Sequence, residues 1–239
     1  MKRPRRLSRR IAEMVVIVTS ILLAFALDAW WSEYRQAREA SDLRAALIAE
    51  FEVAGEELAV SVSRNERIIA SADTLLRMLS GGTSPVVVAA GTVGALILTP
   101  TTDPQRGTLD ALIASGRLDL LGSPALRGLL ADWPAELDDV REEELAAKAF
   151  VHEHLALFLG RVTDLAPVYD WRIAERQSVE PGRLRQAGTV AVRDMSIRLD
   201  SDPELTNMIE TRRYLARMVL TNFTTLTAAF DRIRAELAK

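Results

Sequence analysis

The sequence predicts an all-α protein: a single N-terminal transmembrane helix continuing into a long helix of an extracytoplasmic antiparallel helical bundle. Three observations lead there. An uncharged apolar run follows a basic N-terminus, and from Met14 to Leu27 only Thr19 and Ser20 are polar. Farther along, apolar residues recur at alternating spacings of four and three, the pattern of packed helices. Finally, aromatic residues make up only 5% of a chain that is 49% hydrophobic, so its apolar content is mostly Ala, Leu and Val. That composition favours helices over a sheet sandwich.

The order of elements begins with a basic tail at residues 1–10, carrying Lys2, Arg3, Arg5, Arg6, Arg9 and Arg10 and no acid. The span follows at residues 11–31, long enough at about 1.5 Å per residue to cross roughly 30 Å of hydrocarbon. Glu13 and Asp28 fall near its two ends, where a carboxylate reaches headgroups or water. Snorkelling is the expectation for both, with pairing to a second transmembrane helix as the alternative. Trp30 and Trp31 stand at the far boundary, where interfacial aromatics collect.

By the positive-inside rule the tail is cytoplasmic and residues 32–239 are exported. A cleaved secretory signal shares the basic start, the apolar run and Ala24-Phe25-Ala26. Against cleavage, no turn-forming residue separates the span from the helical sequence after it. An uncleaved anchor is therefore expected.

Residues 32–239 suffice for one buried core. The helical pattern runs on to Ser80-Gly81-Gly82, interrupted only by Gly55. Leu47, Ala54, Ser61, Ile68 and Leu75 form one seven-residue series, and Phe51, Leu58, Asn65, Ala72 and Leu79 the other. Partial exposure is expected for the two polar members, Ser61 and Asn65. Their alternative role is to fix register between packed helices.

Val86 to Leu98 reads as a short apolar helix, because its Val run lacks an evident strand partner. Thr108 to Ser115 is a second short helix, stopped by Gly116. A second long helix is expected from Pro124 to about Leu165, capped by Ser123 and kinked at Pro134. Residues 166–202, with Pro167, Pro181-Gly182 and Gly188, form the least regular stretch. Asp202-Pro203-Glu204 starts the last helix, whose series are Leu205, Val219, Leu226 and Ile233, interrupted by Arg212, and Ile209, Ala216, Phe223, Phe230 and Leu237.

Chemistry is sparse. Cysteine is absent, which excludes disulfides, zinc–thiolate sites and thiol catalysis. His152 and His154, two apart on a helix, face opposite sides and make a poor metal pair. The acidic run around Glu142, Glu143 and Glu144 reads as a solvated face. No G-x-S-x-G elbow or phosphate-cradling loop occurs, and Gly91-Thr92-Val93-Gly94 is too sparse for one. No catalytic residue, cofactor or metal is expected.

Removing the six bases of the tail from the chain's thirty, and Glu13 and Asp28 from its thirty-three acids, leaves 24 bases against 31 acids beyond the span. That balance suggests no nucleic-acid surface. Arg183, Arg185, Arg193 and Arg198 lie near Tyr169 and Trp171 in sequence. Tyr169, Trp171, Arg183 and Arg185 are the candidate partner surface, although Arg supplies nearly all the bases everywhere in the chain.

The anchor sequence Glu13-Met14-Val15-Val16-Ile17-Val18, then Ile21-Leu22-Leu23-Ala24 and Asp28-Ala29-Trp30, resembles an uncharacterised family of bacterial single-pass membrane proteins. Thr108 to Leu118 is similar to that family's central segment. Met14 stands where the family typically has Ile. The resemblance implies an N-terminal anchor and a helical exported domain, and it implies no activity and no site residue.

The expected function is thus noncatalytic: a membrane-tethered helical interaction protein, an accessory subunit of a larger bacterial membrane complex. Its partners would be the lipid bilayer and either another protein or a second copy. The alternative is an exported ligand-sensing bundle that signals through a partner, since the short tail leaves no room for an output domain.

Overall fold

The computed structural model describes residues 5–82, 85–179 and 196–239, with side chains described for all of these except 5–12 and 176–179. The chain is mostly helical. Helix α1, Arg5–Ser80, is a single element of 76 residues, roughly 114 Å long at 1.5 Å per residue. It is uninterrupted because no proline or turn pair occurs within it. Gly55, which costs helix propensity, is retained for space: a Cβ there would stand 2.6 Å from Cζ of Phe230.

Val86 to Leu98 is not one helix. Strand β1, Val86–Ala89, pairs antiparallel with β2, Ser196–Leu199, in the register Val86 to Leu199 and Ala89 to Ser196. Only then does α2, Ala90–Leu96, begin. The β-branched run takes the strand conformation that suits it, and its partner comes from more than a hundred residues downstream. Short helix α3, Gly107–Ala114, follows. Both backbone N–H groups at its start, of Thr108 and Leu109, donate to the carboxylate of Glu50 on α1, at 2.7 and 3.1 Å.

A 3-10 turn at Leu118–Leu121 leads to α4, Pro124–Phe150. Ser123 caps it by accepting from Leu126 N–H, Pro124 occupies its first turn and Pro134 lies inside it. A π turn at Val151–Leu155 joins α4 to α5, Ala156–Val162. The stretch expected to be irregular then yields α6, Ala166–Val179. Asp164 Oδ1 accepts from Ala166 N–H at 2.9 Å at its start, and Trp171 packs over α2. The last helix, α7, Pro203–Leu237, is capped by Asp202, whose Oδ1 accepts from Glu204 N–H at 2.7 Å.

Helix α7 packs on both α1 and α4. It runs back along α1: Ser201 hydrogen-bonds the Leu79 carbonyl, Arg213 Nη1 pairs with Asp73 at 2.7 Å, and Phe230 stacks near Phe51. Two apolar clusters result. The first holds Leu47 to Leu58 of α1, Leu126 to Ala147 of α4 and Val219 to Leu237 of α7. The second holds Ile68 to Leu79 of α1, both strands, α2, Val151 to Val168, and Leu205 to Ala216 of α7.

Polar residues are buried where the clusters meet. Ser61 and Asn65, expected to be partly exposed, lie between Leu58 and Ile68 and are 4% and 1% exposed. Asn65 tolerates burial because its Nδ2 donates to the Ser61 carbonyl at 3.0 Å one turn earlier.

Candidate membrane-binding and partner-binding surfaces

The side chains of α1 from Glu13 to Trp31 are all exposed. Met14, Val16, Leu22 and Phe25 are 66%, 64%, 62% and 68% exposed, and none of the most apolar window is buried within the protein. An apolar surface on every face of a helix is stable in lipid or against protein and not in water. This helix is long and apolar enough to span a membrane. Within this segment Ser20 Oγ donates to the Val16 carbonyl at 2.7 Å, so its hydroxyl is satisfied by the helix itself.

Glu13 and Asp28 bracket the segment, 15 residues apart in sequence, or about 22 Å along the axis. Beyond Asp28, the rings of Trp30, Trp31 and Tyr34 form an exposed cluster with centroids 5.9 to 6.5 Å apart. Indole and phenol rings combine an apolar body with a polar tip, which suits them to the headgroup level. Tyr34 belongs with the two tryptophans although sequence reasoning left it out. Its position one turn after Trp30 was the available signal.

Of the candidate partner surface, Tyr169 and Trp171 are among the described residues. Trp171 is turned inward onto α2, where its ring lies so close over Gly91 and Gly94 that a methyl group at either would overlap it. Those two glycines thus serve packing. Tyr169 is exposed, as is Ile173 one turn later. Arg183 and Arg185 lie outside the described residues, and so do Arg193 and the first four residues of the tail.

The solvated reading of the acidic run holds for Glu142, holds in part for half-buried Glu143 and fails for Glu144, which is 3% exposed. Its Oε2 accepts from Thr102 N–H and its Oε1 from Thr102 Oγ1, both at 2.8 Å. Burial raises the carboxyl pKa above its ordinary value, while the two Thr102 bonds and Arg141 act to lower it. The missed signal was periodic: Leu130, Leu137, Glu144, Val151 and Phe158 are spaced by seven.

Arg212 does not merely interrupt the α7 series; it is buried within it, 1% exposed. Nε donates to the Leu96 carbonyl at 2.9 Å and Nη2 to the Leu98 carbonyl at 2.8 Å, closing the C-terminal end of α2. Nη1 has no partner among the described residues. Burial pushes the guanidinium down to about 10, which leaves it charged at neutral pH. Arg212 and Glu144 between them hold the connector from Leu96 to Thr102 against the long helices.

His152 and His154 are both exposed in the π turn, His154 beside the ring of Phe150. Among the described residues no group of three or more His, Asp and Glu is placed to hold a metal ion. No protein family, curated protein or solved structure matches the chain. The resemblance of its anchor and central segments to bacterial single-pass proteins therefore rests on those residues alone.

Proposed function

We propose that this is a noncatalytic, membrane-anchored interaction protein, an accessory subunit of a larger bacterial membrane complex. Helix α1 holds it in the inner membrane with its N-terminus in the cytoplasm, and residues 32–239 form a periplasmic antiparallel helical bundle. The observation that carries this reading is the continuity of α1. One unbroken helix joins the exposed apolar segment to the packed seam that starts at Leu47.

Between Trp31 and Leu47 this helix adds a stalk of about 24 Å. It carries charged residues such as Glu33, Arg35, Arg38 and Asp42. A rigid stalk fixes the height of the domain above the bilayer, which suits a protein that braces a neighbour. A flexible tether would serve a freely diffusing enzyme equally well. The basic tail and the mixed charges beyond the span support the orientation.

Photo-crosslinking residues placed at Asp28 and Tyr169 of the full-length protein in native membranes test the proposal. A discrete adduct with another envelope protein, or with a second copy, is expected. Absence of both partner and self-association overturns it.

A further inference from the structure

Glu57, Ser61 and Arg64 lie at i, i+4 and i+7 along α1, on one face of the helix. That face, with Glu56 and Val60 beside it, forms one wall of an open cleft of about 420 Å³, and Thr101, Thr102 and Asp103 form the other. Three features distinguish it. Ser61 is 4% exposed yet lines the cleft, and its Oγ makes no hydrogen bond among the described residues.

Second, Glu57, Arg64 and Asp103 form no ion pair among the described residues, whereas nearby Arg67 pairs with Glu175 and Arg213 with Asp73. Charges that line a concavity and remain unmatched by the protein suit a ligand of matching charge. Third, the wall opposite α1 is held in place, because both the N–H and the hydroxyl of Thr102 are committed to buried Glu144.

We infer that this cleft binds a small zwitterionic amine. The ammonium group lies between the carboxylates of Glu57 and Asp103 and donates to Ser61 Oγ, and the ligand's anionic group meets the guanidinium of Arg64. Seven residues separate Glu57 from Arg64, about 10.5 Å of helix. Allowing about 2.8 Å of hydrogen bond at each end leaves roughly 5 Å, the span of an unbranched ω-amino acid of about four carbons. The site is independent of the anchoring role, and either reading stands if the other falls.

Isothermal titration of the full-length protein in detergent micelles tests it, with 4-aminobutanoate, 1,4-diaminobutane and butanedioate as probes at equal ionic strength. Saturable binding of 4-aminobutanoate is expected, with the other two weaker. Glu57→Gln and Arg64→Gln should each weaken it about tenfold or more, and Ser61→Ala about threefold. Glu57 and Arg64 are only half-buried, so both variants should melt like the parent. The inference is overturned if no saturation occurs up to ~10 mM, if both charge variants bind as the parent does, or if diaminobutane binds more tightly.

Discussion

The two ends of α1 invert the usual arrangement in opposite ways. From Met14 to Leu27 it exposes almost wholly apolar side chains on every face, while farther along it buries Ser61 and Asn65 in the seam. Backbone conformation is the same throughout; the difference lies in what surrounds the side chains. The apolar surface needs an apolar environment, and the buried polar groups need hydrogen bonds within the protein. One helix is thereby matched to two environments, and continuity of the backbone says nothing about which environment a residue meets.

The contrast is broken most directly by one kind of substitution at both ends. Leu22→Arg puts a charge at mid-span, where insertion is disfavoured by about 3 kcal/mol, and the protein should leave the carbonate-washed membrane fraction with its distal helices folded. Leu75→Arg buries an unpaired charge in the second cluster, a change that costs several kcal/mol. It should abolish cooperative thermal unfolding while membrane retention persists. Should both variants behave alike in either assay, α1 would not be divided between two environments.

The next effect tests the buried polar layer. Arg212→Ala removes the donors that satisfy the Leu96 and Leu98 carbonyls. Bonds from a charged donor and the newly orphaned carbonyls together make a loss of about 3 kcal/mol the expected result by chemical denaturation. Arg212→Lys reaches one carbonyl at best and should fall between. A melt unchanged in Arg212→Ala would mean that the α2 end does not depend on this side chain.

How much of this was legible in the sequence follows the range of the interactions. Ser123 and Asp202 were readable as caps because a cap is set within three residues of itself. The heptad series gave both long seams, since helical periodicity is local. Strand β1 was not readable, because its partner Ser196–Leu199 lies far along the chain and a single sequence carries no pairing signal over that distance. Trp171 reads as a surface residue in the sequence for the same reason: the glycines that receive it sit 80 and 77 positions earlier, at Gly91 and Gly94. Ser61, Asn65 and Glu144 were assigned by residue type, although their places in seven-residue series pointed inward.

Packing in the first cluster gives a smaller and more discriminating effect. Gly55→Ala gains about 1 kcal/mol of helix propensity but sets a methyl group 2.6 Å from Phe230 Cζ. Overpacking of this kind costs about 1–3 kcal/mol, so a net loss near 1 kcal/mol is expected in urea denaturation. Gly55→Ala combined with Phe230→Leu should recover part of it, because the shorter side chain vacates the overlap. A gain in stability from Gly55→Ala alone would show that α7 is free to shift away from α1 at this level.

The finest test concerns the one buried carboxylate among the described residues. Desolvation raises the folded-state pKa of Glu144 above the ordinary 4.5, so between those two values the folded protein binds more protons at this site than the unfolded chain does. Stability contributed by Glu144 is therefore greatest below about 4.5 and declines as pH rises toward the folded value. Glu144→Gln keeps the shape, with its amide oxygen accepting from Thr102 N–H and its NH₂ facing Thr102 Oγ1, and it cannot titrate. The difference in unfolding free energy between parent and Glu144→Gln, measured from pH 4 to pH 7, should fall for the parent as pH rises. A flat difference would place Glu144 in a more solvated setting than its burial indicates, and a rising one would mean that the Thr102 bonds outweigh desolvation.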